Sequence, residues 1–143
     1  MSNEKVIKKA KEIIKNHPIG VLATVESNAP HIRYMAFYCE DSEGFTLYSA
    51  TKKNTEKVEE IEENGHTSIL LGYTGKGLKD KYIEVKGHCR ISEDEEIKKK
   101  IWQDSFSRWF EGPEDPNYVI LAITPQTIRF LNNEHQQTEE VTI

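Results

Sequence analysis

The stretch Tyr48-Ser49-Ala50-Thr51-Lys52-Lys53-Asn54-Thr55-Glu56-Lys57 concentrates residue types that bind a small anion. A strand ends there in hydroxyl residues, a cationic loop follows, and a helix begins. Helix N-termini carry free N–H groups and the positive end of the dipole, so they favour negative charge. Thr51 and Thr55 could donate hydroxyl hydrogen bonds, while Lys52, Lys53 or Lys57 supplies charge. A phosphate monoester fits this set. Arg33 points in from the adjacent strand, and its fork could take two phosphate oxygens. The same residues also read as a capped surface helix with solvated lysines. The segment is no Walker loop, because the glycines and the terminal Lys-Ser/Thr pair are missing. Gly72-Tyr73-Thr74-Gly75-Lys76-Gly77 lacks nucleotide-loop spacing as well, and reads as a hairpin loop.

Other reactive side chains are weaker candidates. His31, His88 and Cys89 have no zinc-type spacing, so no metal site is expected. Cys39 lacks an evident activating base and reads as a strand residue. Glu56, Glu59, Glu60, Glu62 and Glu63 read as a solvated helix face rather than paired catalytic carboxylates. The aromatic stripe Ile97, Ile101, Trp102, Phe106, Trp109 and Phe110 reads as core or dimer interface.

Periodicity supplies the elements that must position these residues. Val6, Ile7, Ala10, Ile13 and Ile14 fall on one stripe of a helix within an N-terminal segment 1–17, which Pro18 stops. Ile19–Glu26 and His31–Tyr38 read as strands joined by turn chemistry at Ser27-Asn28-Ala29-Pro30. The second places His31, Arg33, Met35 and Phe37 on one face, and Ile32, Tyr34, Ala36 and Tyr38 on the other. After the hairpin-type loop Glu40–Gly44, a strand is expected over Phe45–Ala50, and a three-strand meander is the natural topology. A helix over 54–63 with a stop at Asn64-Gly65, and strands at Thr67–Tyr73 and Tyr82–Ile91, follow. Ser92 and Glu95 fit a capping box opening a helix through Trp109. Two closing strands, Tyr118–Thr124 and Thr127–Leu131, are expected to split at Pro125. The tail 132–143 is polar and expected to be loose.

Composition sets outer bounds. The 143 residues suit one domain spanning the chain, and the net charge of -5 argues against nucleic acid as a main partner. Two cysteines form no disulfide framework, no apolar run is long enough for a membrane span, and the N-terminus has no signal-peptide pattern. A cytoplasmic protein with no membrane partner is the expectation. Many short strands with interspersed helices and no regular β-α alternation favour a mainly β, α+β architecture built on an antiparallel barrel.

Four blocks carry a resemblance. They are Ala29-Pro30-His31-Ile32-Arg33-Tyr34-Met35, then Ser49-Ala50-Thr51 with Thr55-Glu56-Lys57-Val58, then Tyr82–Cys89, and Trp109-Phe110-Glu111-Gly112-Pro113-Glu114-Asp115-Pro116. In this order and spacing the chain resembles the pyridoxamine 5′-phosphate oxidase-like, FMN-binding split-barrel proteins, in their general stress protein branch. The resemblance implies an antiparallel split β-barrel of about six to eight strands with flanking helices. It also implies a homodimer with FMN at the interface. Carried over by position, Arg33, Thr51, Thr55 and Lys57 would hold the phosphate or ribityl chain. Tyr34, Met35, Ser49 and Ala50 would lie along the isoalloxazine, and Trp109 would reach it from the partner subunit. Tyr34 stands where proline is frequent, and Cys89 replaces the usual alanine. The Arg- and His-rich C-terminal segment that binds the substrate in true pyridoxamine phosphate oxidases is absent, so vitamin B6 oxidation is not expected. The implied activity is an FMN-dependent oxidoreductase with a small-molecule donor and acceptor. A non-catalytic flavin-binding stress or sensor protein is the alternative, and haem or a deazaflavin in the same barrel is a third.

Overall fold

The computed structural model describes residues 3–40, 44–77, 80–131 and 139–143. Helix α1 (Asn3–Asn16) buries Val6, Ala10 and Ile14, the stripe its periodicity sets apart. Its end is fixed at Pro18, whose carbonyl accepts a 2.7 Å bond from Phe37 N. Strands β1 (Ile19–Glu26) and β2 (Ala29–Ala36) then pair antiparallel, Glu26 opposite Ala29. That register leaves a two-residue turn. Ser27 and Asn28 both take positive φ (46° and 71°), the left-handed geometry that matches strand twist in so tight a hairpin.

The remaining elements are β3 (Leu47–Lys52), α2 (Glu56–Glu63), β4 (His66–Leu71), β5 (Tyr82–Ser92), α3 (Glu95–Ile101), a 3₁₀ turn at Asp104–Arg108, β6 (Tyr118–Leu131) and β7 (Glu139–Thr142). The strands form one antiparallel sheet in the order β2-β1-β4-β5-β6-β3, with β7 on β6. Among the described residues, the ends of this order, β2 and β3, come together at the bridge of Tyr38 with Tyr48, through backbone bonds of 2.9 and 2.8 Å. Away from that bridge the sheet is not closed. The architecture is the split barrel of seven strands that the sequence reading anticipates.

Its core has two parts. The barrel interior gathers Leu22, Phe37, Leu47, Ile69, Leu71, Ile83, Val85, Leu121 and Ile123 against α1 and the Val58 and Ile61 side of α2. A second core lies on the opposite face of β3 and β6, where Ile101, Phe106 and Phe110 pack on Tyr48, Tyr118, Ile120 and Ala122. β6 is therefore buried on both faces from Tyr118 to Ile123, which explains its unbroken apolar run.

Several expectations change. β3 does not extend a meander: it crosses to pair with β6 from Leu47↔Ile123 to Lys52↔Tyr118, and it begins two residues later than expected. The helix expected over 92–109 stops at Ile101 and resumes as the short 3₁₀ turn, because Trp102 (ψ 135°) leaves helical geometry and Gln103 is extended. Asp94, not Ser92, caps α3: its carboxylate accepts from Glu96 N and Ile97 N, while Ser92 Oγ accepts from Asp94 N. Pro125 does not divide the last strands. The β5–β6 register shifts between Lys86 and Gly87, opposite Pro125, so a bulge absorbs the missing N–H. Gly87 permits this closeness, since a Cβ there would meet Thr124 O at 2.5 Å. The tail is not loose throughout: β7 pairs Glu139–Thr142 with β6, and Val141 packs against the core. Residues 41–43 of the expected hairpin loop and 132–138 of the tail lie outside the described residues.

Candidate anion-binding site

The site lies where β2 and β3 diverge, and side chains of α2 reach both: Lys57 meets Thr51 of β3, and Glu60 meets His31 and Arg33 of β2. Strand parity positions it. His31, Arg33, Met35 and Phe37 face inward and Ile32 and Tyr34 outward, as the alternation requires. Inward parity on β1 gives Leu22 and Thr24, which lie opposite Arg33 and His31 in the register. On β3 it gives Leu47, Ser49 and Thr51, all buried.

Arg33 is held from behind. Its Nη1 donates to Thr24 Oγ1 at 2.7 Å and to Leu22 O at 3.3 Å, and Nη2 donates to Glu60 Oε2 at 3.4 Å. A guanidinium has more N–H donors than these contacts use, and the side chain keeps 24% exposure. Lys57, in the first turn of α2, donates from Nζ to Thr51 Oγ1 at 2.8 Å. Its pKa is lowered, first by burial and then by the positive charge of Arg33, with Glu60 partly opposing. Two cations and a hydroxyl thus converge, and an anion between them would relieve their repulsion.

The other lysines are directed elsewhere. Lys52 is exposed, and Lys53 reaches Glu93 at 3.1 Å. Thr55 takes the N-cap position of α2 without bonding its first N–H groups; its hydroxyl donates to Lys52 O at 3.1 Å. Glu56 and Glu59 already complement the dipole in that turn. The side chains of Lys57 and Arg33, rather than the bare helix end, make this position cationic.

Glu60 corrects the reading of α2 as a wholly solvated acidic face. It is 5% exposed, and its carboxylate accepts from Thr24 Oγ1 at 2.6 Å and lies 2.7 Å from His31 Nδ1. Burial pushes its pKa up, but these bonds and the charges of His31 and Arg33 outweigh that and leave it lowered. Glu26, His31 and Glu60 bring potential metal-ligand atoms within 4.8 Å of one another. Arg33, 3.4 Å from Glu60, makes the same place unfavourable to a cation, and hydrogen bonding accounts for the arrangement. A concavity of about 220 Å³ lined by Glu26, Glu56, Glu59, Glu60 and Glu63 repels anions, so the cationic approach is from the Lys57 side.

The remaining expected residues divide. Met35 packs on the barrel core, and Ser49 Oγ donates to Ala36 O at 2.8 Å, tying β3 to β2 beside the bridge. Ala50 packs against the second core on the other face of β3. Tyr34 stands outside, 78% exposed. Trp109 is 58% exposed at the end of the 3₁₀ turn, whereas Trp102 and Phe106 of the same stripe are packed around Tyr118. Within one chain Trp109 does not join the Arg33–Lys57 cluster. Cys89 is buried, and burial pushes its thiol up to about 12, leaving it inert.

Thr24 and Glu60 were not identified from sequence. The available signal was Thr24 itself, a polar residue at an inward position of an otherwise apolar strand, across from His31 in the hairpin. Such a residue needs a buried partner.

The donor set fits a phosphate monoester such as that of FMN: two cations and a threonine hydroxyl at an unsealed edge of the barrel. A family described as Pyridoxamine 5'-phosphate oxidase matches residues 6–132. The chain is 44% identical over 132 residues to General stress protein 26 of Bacillus subtilis (strain 168), covering 92% of each protein. The crystal structure of General Stress Protein 26 from Bacillus anthracis str. Sterne aligns with a TM-score of 0.81 at 38% identity, over 96% of this chain and 98% of that one. A pyridoxamine 5'-phosphate oxidase-related, FMN binding protein from Nostoc punctiforme PCC 73102 shares the fold, with a TM-score of 0.71 at 14% identity over 100% of this chain and 98% of its own. With the family match reaching from α1 through β6, the chain belongs to the pyridoxamine 5′-phosphate oxidase-like family, in its general stress protein branch.

Proposed function

We propose that this protein binds FMN, its phosphate between Arg33, Thr51 and Lys57, and serves as a flavin-dependent oxidoreductase acting on a small-molecule acceptor. The observation that carries this reading is the convergence of Lys57 and Arg33. Lys57 Nζ lies 2.8 Å from Thr51 Oγ1, and its pKa is lowered first by burial and then by the charge of Arg33, with Glu60 opposing. Glu60 offsets part of this crowding of like charge, and a bound phosphate dianion would offset more of it. Thr55 lies at the same corner, and its hydroxyl, which donates to Lys52 O at 3.1 Å, would have to turn from that carbonyl to donate to the ribityl chain.

From the phosphate, the isoalloxazine would follow the facing edges of β2 and β3, along Tyr34, Met35, Ser49 and Ala50. Bound FMN supplies the hydride chemistry through its ring. The chain's residues bind and orient it: Arg33 and Lys57 neutralise the phosphate, and the Ser49–Ala36 bond fixes the strand edges. The oxidation of a donor and reduction of an acceptor rest on family membership.

A homodimer belongs to the same proposal. Ile32 (72% exposed), Tyr34 (78%), Ile19 (60%) and Leu70 (39%) lie on the outward face of β2, β1 and β4. The register makes them neighbours, with Tyr34 opposite Val21 and Val21 opposite Leu70. A contiguous apolar face beside the cofactor edge suits a second copy, whose Trp109 would complete the flavin pocket. Ile32→Glu should convert the protein to a monomer in sedimentation and weaken FMN binding.

The test of the cofactor is a visible-absorbance titration with FMN beside riboflavin, which lacks the phosphate, followed by a screen of reduced nicotinamides and acceptors. Saturable FMN binding with much weaker riboflavin binding is expected. Equal binding of the two, or none, would remove the phosphate assignment; tight FMN binding without turnover would remove the enzymatic half.

A further inference from the structure

We infer that Glu60 is a positioning residue, the buried carboxylate that sets Arg33 so that its remaining N–H donors face the phosphate. This rests on the FMN reading above. An arginine on a strand edge has a long stem with many rotamers, and fixing them costs conformational entropy. Arg33 meets that cost before any ligand arrives. Thr24 Oγ1 takes Nη1 at 2.7 Å, Leu22 O takes the same nitrogen at 3.3 Å, and Glu60 Oε2 takes Nη2 at 3.4 Å. Thr24 and Glu60 are themselves bonded at 2.6 Å. The acceptors therefore form one connected unit, and each is almost fully buried, at 0% for Thr24 and 5% for Glu60.

Glu60 comes from α2, three residues beyond Lys57 on adjacent positions of one helical face. One helix thus supplies both the second cation and the group that aims the first. Its rotation relative to the barrel is fixed by Val58 and Ile61, buried in the core. His31 Nδ1, 2.7 Å from Glu60 Oε1, holds the carboxylate's other oxygen and keeps it turned away from Lys57.

A nearby carboxylate also repels a phosphate, so a positioning role and a purely electrostatic one predict opposite signs. Glu60→Met keeps the volume but removes the acceptor; Glu60→Gln keeps an acceptor oxygen without charge. The expected result is that E60M weakens FMN binding about tenfold while riboflavin binding is unchanged. E60Q should recover most of the loss. In an Arg33→Ala background, E60M should have no further effect on FMN, which a merely structural role would not produce. Unchanged or tighter FMN binding in E60M would overturn the inference. So would an equal loss for FMN and riboflavin, or a loss that persists without Arg33. A second readout needs no flavin: the Arg33 Nε–H NMR signal of the ligand-free protein should be sharp in the parent and broadened in E60M, and no change there would also overturn it. If R33A alone leaves the FMN-to-riboflavin preference intact, the phosphate reading itself fails, whatever the NMR signal does.

Discussion

Of the charged side chains buried among the described residues, Glu60 at 5% exposure and Lys98 at 6% differ most plainly in their surroundings. Lys98 sits in the second core, where its ammonium donates to Asp115 O at 3.1 Å and lies 5.3 Å from the centre of the Tyr118 ring. Tyr118 in turn donates to Lys98 O at 2.8 Å. Lys98 thus answers to backbone and to an aromatic face, inside a cluster with packed walls. Glu60 answers to three side chains, Thr24, His31 and Arg33, beside the diverging strands β2 and β3. A buried charge satisfied by backbone in a packed core holds a loop to a helix. A buried charge that shares Thr24 with an arginine still 24% exposed leaves guanidinium donors free for a further partner.

That contrast can be broken at its strongest point first. The double substitution Arg33→Ala with Lys57→Ala removes two charge-assisted contacts of about 1.5–3 kcal/mol each. FMN affinity should fall about a hundredfold or more in an absorbance titration, with the riboflavin affinity unmoved. Unchanged FMN binding would erase the distinction between the two regions. Lys98→Met should instead cost about 1–3 kcal/mol of stability in urea unfolding, because the Asp115 carbonyl loses its buried donor. The FMN-to-riboflavin ratio should stay as it is; a shifted ratio would mean the second core also shapes the site.

Smaller effects sharpen the same division. Tyr118→Phe deletes one buried bond and should lower stability by about 1 kcal/mol, again without a change in flavin preference. The hydroxyl is held un-ionised, its pKa pushed to about 12 by burial and by the neighbouring Tyr38, so this loss should not vary across neutral pH. Glu60 supplies the pH-dependent counterpart. Its folded pKa lies below the ordinary 4.5, so its stabilisation is present above that value and lost as pH falls through the lowered one. The stability difference between the parent and E60Q should therefore shrink on acidification below about pH 4.5, measured by urea unfolding at neutral and acid pH.

The two regions were also unequally legible. The inward and outward faces of β2 and the helix stripe of α1 follow from periodicity, and the structure places them as expected; of the corner from Thr51 to Lys57, it brings Lys57 onto Thr51 and turns Lys53 and the Thr55 hydroxyl to other partners. What required the third dimension was the route of β3. A short loop favours pairing with the preceding strand, yet β3 pairs with β6, and that crossover leaves β2 and β3 as the two lips of the split. Glu60 was misread for a related reason: among five glutamates in eight residues, sequence does not distinguish the one that turns toward Thr24. The break between α3 and the 3₁₀ turn was hidden because the aromatic stripe keeps helical spacing while Trp102 and Gln103 leave helical geometry. Pro125 misled in the opposite direction, since a bulge lets one strand run through it.

Phosphorus NMR of bound FMN tests the central claim most directly. A free phosphate monoester takes up a proton near about pH 6, and one held by Arg33 and Lys57 should stay dianionic through that range. In the parent protein the phosphorus resonance should be shifted from its free position and stationary from neutral to mildly acidic pH, and it should titrate again in the Arg33→Ala, Lys57→Ala variant. A bound flavin whose phosphorus resonance titrates like that of free FMN in the parent protein would contradict the account, because the phosphate would then lie in solvent and not at the split of the barrel.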